Sequence, residues 1–491
     1  MAAPAQTQPT TDRASAPLAK TSGRIWSPYQ TAVFAAIEDE QGRHLVVEAL
    51  AGSGKTSTIV EALRHVYDDD SVLMVAFNRS IATELGGRVP FGVTVSTLHS
   101  YGLRAVTAAM GRRPIDADYV SKLARSVVGD SRDAREARTA VAKAVSLAKG
   151  CLASTPGQID ALCDAMDLEF PKDWDRDRLI RAAAKILEVC QTDRGSIDFD
   201  DMIWLPNVLN LAVQEYDWVF VDETQDLNPA QLELVLRAAG SRGRIVAVGD
   251  RRQAIYGFRG ADRSAIPNMI RRLDAKVLPL SITYRCPVSV VREAQRIIPT
   301  IEPAPGAPEG IVRATTLDQL EKNAGPGDFV VSRTNAPLVS LCFRWLASGR
   351  RAEIRGRDIG KGLSSWIKGT KARTIDLLSD CIESWSSSEI QRLSKLERST
   401  QSIEDKADCL RALIEGCKSV DGVLLKIDRI FGDGSPGGIV LTSTHRAKGL
   451  EADRVWLLRD TYCRWPGDEE QNLLYVGITR AKQELIYVTE A

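Results

Sequence analysis

Ala49-Leu50-Ala51-Gly52-Ser53-Gly54-Lys55-Thr56 has the glycine, lysine and hydroxyl spacing of a loop that wraps phosphates. Glycines let successive backbone N–H groups curl around an anion at the start of a helix. In that reading Ala51, Gly52, Ser53 and Gly54 form the cradle, Lys55 meets the β- and γ-phosphates, and Thr56 offers its hydroxyl to Mg2+. An acidic pair, Asp222-Glu223, follows the apolar run Asp217-Trp218-Val219-Phe220-Val221. Asp222 is placed to hold Mg2+ through water, and Glu223 to orient and polarise an attacking water. Adjacent acids at a strand end are common and prove nothing alone. Combined with a phosphate loop they point to phosphoryl transfer to water, where positioning and charge neutralisation supply most of the catalysis.

These residues need a sheet to hold them. His44-Leu45-Val46-Val47-Glu48 runs into the phosphate loop, and the helix-like Ser57-Thr58-Ile59-Val60-Glu61 follows it. Ser71–Val75 and Arg244–Val248 are further short apolar runs, each ending in a polar turn. Apolar strands alternating with helices predict an α/β fold with parallel sheets and ligands at the strands' C-terminal ends. Two stretches break the rhythm. Residues 102–204 are rich in Ala, Arg and Leu at helical spacing, and residues 356–438 are helical and polar. The expected plan is two RecA-like, P-loop NTPase domains, each with a helical insertion. The first domain spans 23–101 and 205–275 around insertion 102–204. The second spans 276–355 and 439–491 around insertion 356–438, its pattern starting at Lys276-Val277-Leu278.

Composition excludes some classes and is silent on others. The 64 basic and 64 acidic side chains cancel, so a polyanionic partner needs local basic strips. Arg112, Arg113, Lys122, Arg125, Arg132, Arg135, Arg138 and Lys143 make the first insertion the most basic stretch. Nine cysteines lie singly without zinc spacing and read as reduced thiols packed in cores. No apolar run reaches the roughly 20 residues that cross a bilayer. Residues 1–22, rich in Ala, Pro, Thr and Gln, read as a disordered leader without a secretory core. Together these predict a cytoplasmic protein, or a nuclear one in a host with a nucleus.

The order of motifs resembles the UvrD/Rep/PcrA-like superfamily 1A helicases from Trp26 nearly to the last residue, outside the two insertions. Trp26-Ser27-Pro28-Tyr29-Gln30 looks like the family's Q motif, which implies a bidentate adenine contact from Gln30. Gly249–Ala261 matches motif III, whose Gln253 would sense the γ-phosphate. Thr283-Tyr284-Arg285 resembles motif IV, implying that Tyr284 stacks on adenine and Arg285 reaches the γ-phosphate. Thr442–Glu451 resembles motif V, which adds Glu451 to the nucleotide site, and Glu469–Lys482 resembles motif VI, making Arg480 an arginine finger. A lone arginine on a helix is ordinarily a solvated ion-pair partner; motifs in family order change that reading. Ala76-Phe77-Asn78-Arg79-Ser80-Ile81-Ala82 and Thr97-Leu98-His99-Ser100-Tyr101-Gly102 are similar to the helicase core of F-box DNA helicases and their short bacterial and phage relatives.

The resemblance implies an ATP-dependent motor moving 3′-to-5′ on single-stranded DNA, in repair, recombination or replication. Its substrates would be single strands and single-strand/duplex junctions, with a nuclease or repair factor as protein partner. Phe77, Tyr256 and Phe258 occupy family positions for base stacking, each worth roughly 1–3 kcal/mol. His99, Arg259 and Thr444 are candidates for contacts near the strand. Ser196–Met202 resembles the family segment that enters the acidic motif, and it receives no catalytic role. The second insertion is much shorter than in the large repair helicases, so their swivelling regulation is not carried over. A competing reading is a nucleic-acid-sensing ATPase subunit of an antiviral or nuclease complex. A third is RNA remodelling, which no 2′-hydroxyl-reading feature supports.

Overall fold

The computed structural model describes residues 24–39, 41–131, 133–166, 168–171, 173–193, 195–255, 265–395, 400–431, 437–463 and 468–489. The leader therefore lies outside the described residues, as do Tyr256, Phe258 and Arg259. The described chain divides into two compact units. The first takes in residues 24–49, 54–249 and 265–280, and the second residues 50–53, 250–255 and everything from 281 on.

The first unit is built on strands β1 (Leu45–Ala49), β2 (Val72–Ala76), β3 (Thr94–Thr97), β4 (Trp218–Val221), β5 (Arg244–Gly249) and β6 (Lys276–Leu280). They form one parallel sheet in the order β3-β2-β4-β5-β1-β6. Its strands are apolar on both faces because helices cover both. Val47, Met74, Phe220 and Val248 pack on one face with α1 (Pro28–Glu38) and α2 (Lys55–Ala62), near α3 (Arg79–Gly86). Val46, Val75, Val221 and Ala247 turn to the other face.

Helices α4 (Leu98–Met110), α5 (Tyr119–Val128), α6 (Arg135–Cys151), α7 (Pro156–Ala165), α8 (Arg176–Thr192) and α9 (Asp201–Val208) fill the stretch between β3 and β4. Val120, Val141, Val145, Ala183 and Ile186 give them an apolar core of their own. Helix α9 leads back through β4 to α10 (Pro229–Ala239), and α11 (Ala265–Leu273) precedes β6.

Strand β6 corrects a boundary. Lys276-Val277-Leu278 does not open the second sheet; it pairs in parallel with β1, Leu45 opposite Lys276 and Ala49 opposite Leu280. It is an edge strand, which is why Pro279 is tolerated within it. The second unit resumes at Ser281.

In the second unit β7 (Ile282–Thr283) and β8 (Glu302–Pro303) form a small parallel pair. Strands β9 (Ile311–Thr316), β10 (Phe329–Ser332), β11 (Ala352–Ile354), β12 (Ile439–Ser443), β13 (Ala452–Leu458) and β14 (Ala481–Thr489) make a parallel sheet ordered β11-β12-β10-β13-β14-β9. The helices are α12 (Val288–Gln295), α13 (Leu317–Asn323), α14 (Ala336–Ala347), α15 (Arg357–Thr370), α16 (Ile375–Lys395), α17 (Gln401–Ile414), α18 (Val420–Phe431), α19 (Thr444–Ala447) and α20 (Asp468–Ile478).

Here the insertion behaves differently. Leu363, Ile367, Ile382, Leu410 and Ile427 of α15–α18 join Val330, Leu441, Trp456 and Ile486 of the sheet in one continuous core. The polar composition of residues 356–438 hid that shared face. None of the described helices is long and apolar enough to cross a membrane. The cysteines are free, but only Cys163, Cys190, Cys286, Cys342 and Cys409 are buried; Cys463 is exposed, so core packing does not describe all nine.

Candidate nucleotide site and strand-contact residues

At the C-terminal end of β1 the chain turns into α2 through two glycines with positive φ, Gly52 at 71° and Gly54 at 80°. Left-handed backbone of this kind favours glycine. Position 52 also has no room for a side chain. A Cβ there would lie 2.5 Å from Thr283 Oγ1 and 2.6 Å from Arg285 Cβ. The Ser53 hydroxyl is buried with no hydrogen-bond partner among the described residues, as a loop shaped for phosphate oxygens requires.

Lys55 opens α2, and its Nζ lies 3.8 Å from Glu223 Oε1. Thr56 stands close enough to favour the carboxylate form of Asp222, so Lys55, Thr56, Asp222 and Glu223 form one cluster. Burial first, and then the neighbouring Glu223 charge, pushes the Asp222 carboxyl up to about 7, against the opposing pull of Lys55 and Thr56. A carboxylate with a hydroxyl beside it offers hard oxygen donors that fit Mg2+. Glu223 has φ 52°, an uncommon conformation for a residue with a side chain. Its N–H donates to Asp222 Oδ1 at 2.8 Å, and Gln225 Nε2 donates to Glu223 Oε2. Backbone strain at a carboxylate aimed by its neighbour belongs to functional sites more than to structural ones.

Gln30 is placed differently from expectation. It is fully buried at the third position of α1, its Oε1 accepting from the Ser27 N–H and hydroxyl, both at 3.1 Å. Its Nε2 donates to Thr58 Oγ1 at 2.9 Å. Ser27 and Gln30 form a reciprocal capping box, so the amide that was to read adenine is engaged in starting the helix.

In the second unit the loop crest Leu50–Ser53 has its own partners. Ala51 N–H donates to Tyr475 Oη at 2.9 Å, and Tyr284 N–H donates to the Gly52 carbonyl at 2.8 Å. Tyr284 is 42% exposed. Arg285 Nε donates to Glu451 Oε2 at 2.7 Å, and Glu451 is also 3.9 Å from Lys482 Nζ. Thus two residues assigned to the nucleotide neutralise each other here.

Arg480 is buried, its Nε donating to the Val476 carbonyl at 2.8 Å and Nη1 to the Leu450 carbonyl at 3.1 Å. Burial, and then the nearby Arg285 charge, lowers it to about 10, still protonated at neutral pH. The extended finger expected at this position is here a cation held by main-chain oxygens. Gln253 is likewise committed: its Nε2 donates to Asp250 Oδ2 at 2.7 Å, and its carbonyl accepts from Lys448 Nζ at 3.0 Å.

Among the strand candidates, Phe77 is 48% exposed at the end of β2. Phe77 and His99 line one cleft of the first unit together with Asp222, Leu227 and Gln231. Burial lowers the His99 pKa below the ordinary histidine range, with Asp200 opposing, so the ring is neutral at pH 7. Thr444 does not fit its expected role. It is completely buried, its hydroxyl donating to the Ser332 carbonyl at 3.2 Å and hydrogen-bonded to Tyr462 Oη. Its polarity serves the packing of α19 and not a strand.

Residues 29–274 match the family model described as the UvrD/REP helicase N-terminal domain, and residues 438–488 match the UvrD-like helicase C-terminal domain. The chain belongs to the UvrD/REP helicase family. This family member is 24% identical over 515 residues to F-box DNA helicase protein 1 of Schizosaccharomyces pombe, covering 91% of the chain and 55% of that relative. It is 29% identical over 293 residues to ATP-dependent DNA helicase Rep of Escherichia coli, covering 54% and 42%. With ATP-dependent DNA helicase PcrA of Leuconostoc citreum the identity is 26% over 292 residues, covering 52% and 37%. The chain spans about half the length of the relatives it matches, or less.

Two partners of candidate residues escaped sequence reasoning, and a third residue, Phe199, is exposed without an assigned role. Gln225 and Tyr475 stood inside motifs without a role, because sequence does not tell which side chain turns toward Glu223 or Ala51. Phe199 is 54% exposed beside Asp200, which acts on His99. An aromatic flanked by acids, Asp198-Phe199-Asp200-Asp201, was the available signal.

Proposed function

We propose that this chain is an ATP-driven motor that translocates 3′-to-5′ along single-stranded DNA and separates strands at single-strand/duplex junctions. The observation that carries the reading is the Lys55–Thr56–Asp222–Glu223 cluster at the strand ends, in a chain of the UvrD/REP family. Glycine-lined backbone and Lys55 bind the triphosphate of ATP. Glu223, held by Gln225, orients the water and accepts its proton. Mg2+, held by Asp222 and Thr56, supplies charge neutralisation on the phosphates when bound.

Arg285, beside Gly52, has the charge to meet a γ-phosphate once Glu451 releases it. Loss of that phosphate on hydrolysis returns Arg285 to Glu451, an exchange of partners that links nucleotide state to the shape of the second unit. Phe77 and Phe199 supply exposed aromatic faces for bases, with His99 as a neutral hydrogen-bonding ring between aromatic and acidic neighbours. A nuclease or repair factor is the fitting protein partner.

Strand displacement on duplexes with one single-stranded tail tests the polarity. The expected result is ATP-dependent separation of 3′-tailed duplex and little action on 5′-tailed or blunt duplex. Preference for the 5′ tail would overturn the assigned direction.

A further inference from the structure

Helix α6 presents Ser146 and Lys149 three residues apart, and therefore on one face. Both reach the turn that enters α9. Lys149 is fully buried, its Nζ donating to Asp198 Oδ2 at 2.8 Å and lying 2.7 Å from Asp201 Oδ1. The Ser146 hydroxyl donates to Asp200 Oδ2 at 2.6 Å. The turn is closed on itself as well, since Asp201 N–H donates to Asp198 Oδ1 at 2.8 Å and Asp198 N–H to Asp201 Oδ2 at 3.0 Å. Three acids of one short turn are thus fastened to one turn of a helix that belongs to the insertion.

The helix entered by that turn packs closely on α4, which carries His99: a Cβ at Gly102 would lie 2.0 Å from the Met202 carbonyl. Phe199, between two of the clamped acids, is 54% exposed, and the Asp200 charge acts on His99. His99 in turn lines the cleft that holds Phe77 and Asp222. The next residue of α6, Gly150, abuts the start of α10. A Cβ there would lie 3.2 Å from Asn228 Nδ2, and Asn228 caps α10 just after the acidic motif. Burial alone would lower the Lys149 ammonium, but Asp201 and Asp198 raise it above the lysine range, so the clamp is charged at neutral pH. A buried ion cluster is weak evidence for stability, and its best attested use is to fix one arrangement.

We infer that Lys149 and Ser146 are positioning residues through which the helical insertion sets Phe199 and His99 for single-stranded DNA. This rests on the DNA-motor reading above. They touch neither nucleotide nor strand; they hold the 198–201 turn at the start of α9, which packs on the helix of His99. The insertion is then coupled to DNA engagement and not to ATP binding.

The test uses the full chain with Ser146→Ala, Ser146→Thr and Lys149→Met. Each is measured for ATPase without DNA, for the oligo(dT) concentration giving half-maximal stimulation, and for oligo(dT) binding by fluorescence anisotropy. Ser146→Ala should raise both DNA constants by about threefold to tenfold, the scale of one ordinary hydrogen bond, while basal kcat and the KM for ATP stay put. Ser146→Thr should restore them, and Lys149→Met should have the larger effect. Should Lys149→Met fail to fold because two buried acids lose their partner, Ser146→Ala decides alone. DNA constants within twofold of wild type in folded Ser146→Ala, or a fall in basal turnover equal to the loss of stimulation, overturn the inference. A wild-type chain that binds no oligo(dT) fails the motor reading itself, and the inference falls with it.

Discussion

Phe77 and Thr444 were both assigned to the strand, yet one ring is half exposed and the other side chain has no accessible surface. The distinction makes them a matched pair. Phe77→Ala should raise the half-saturating single-stranded DNA concentration by about tenfold, since a base stack is worth roughly 1–3 kcal/mol. Thr444→Val should leave that concentration unchanged and lower Tm, because it removes the hydroxyl that bonds the Ser332 carbonyl and Tyr462, worth about 1 kcal/mol. DNA titration of ATPase and thermal denaturation of the two variants check this, and a weakened DNA response in Thr444→Val would contradict the buried role.

At this scale the sequence names residue types but not their partners. Lys55 and Thr56 were legible because they stood in a phosphate loop that fixes its own geometry over a few consecutive residues, and Asp222 and Glu223 because they closed an apolar run that forms β4. Gln30 and Gln253 were not, because an amide can serve a helix cap or a neighbouring acid as well as a ligand.

Among elements, the alternation of apolar runs with helical stretches sufficed to predict parallel sheets flanked by helices. It misplaced β6, because an edge strand of one sheet and the first strand of the next read alike when only a few residues separate them. It also left the second insertion looking detachable. In fact Leu410 of α17 is completely buried in the core that contains Val330 and Trp456 of the second sheet. Leu410→Ala should therefore destabilise the second unit as a core cavity does, by about 2–5 kcal/mol in chemical denaturation. A loss below about 0.5 kcal/mol, the scale of a surface change, would mean that α15–α18 pack independently of the sheet.

For the whole molecule, a balanced net charge leaves association with DNA to local chemistry and not to a general basic field. The exposed faces of Phe77 and Phe199 and the neutral ring of His99 point the same way, toward bases more than phosphates. Coupling between ATP and strand is the property on which everything above depends, and it is measurable in one experiment. Steady-state ATPase would be recorded with no nucleic acid, single-stranded DNA, duplex DNA and RNA, beside Lys55→Ala and Glu223→Gln. The account predicts strong stimulation by single-stranded DNA, weaker response to duplex and RNA, and loss of turnover by about 100-fold or more in both variants. Turnover that no nucleic acid changes, or that survives in Glu223→Gln, would contradict it.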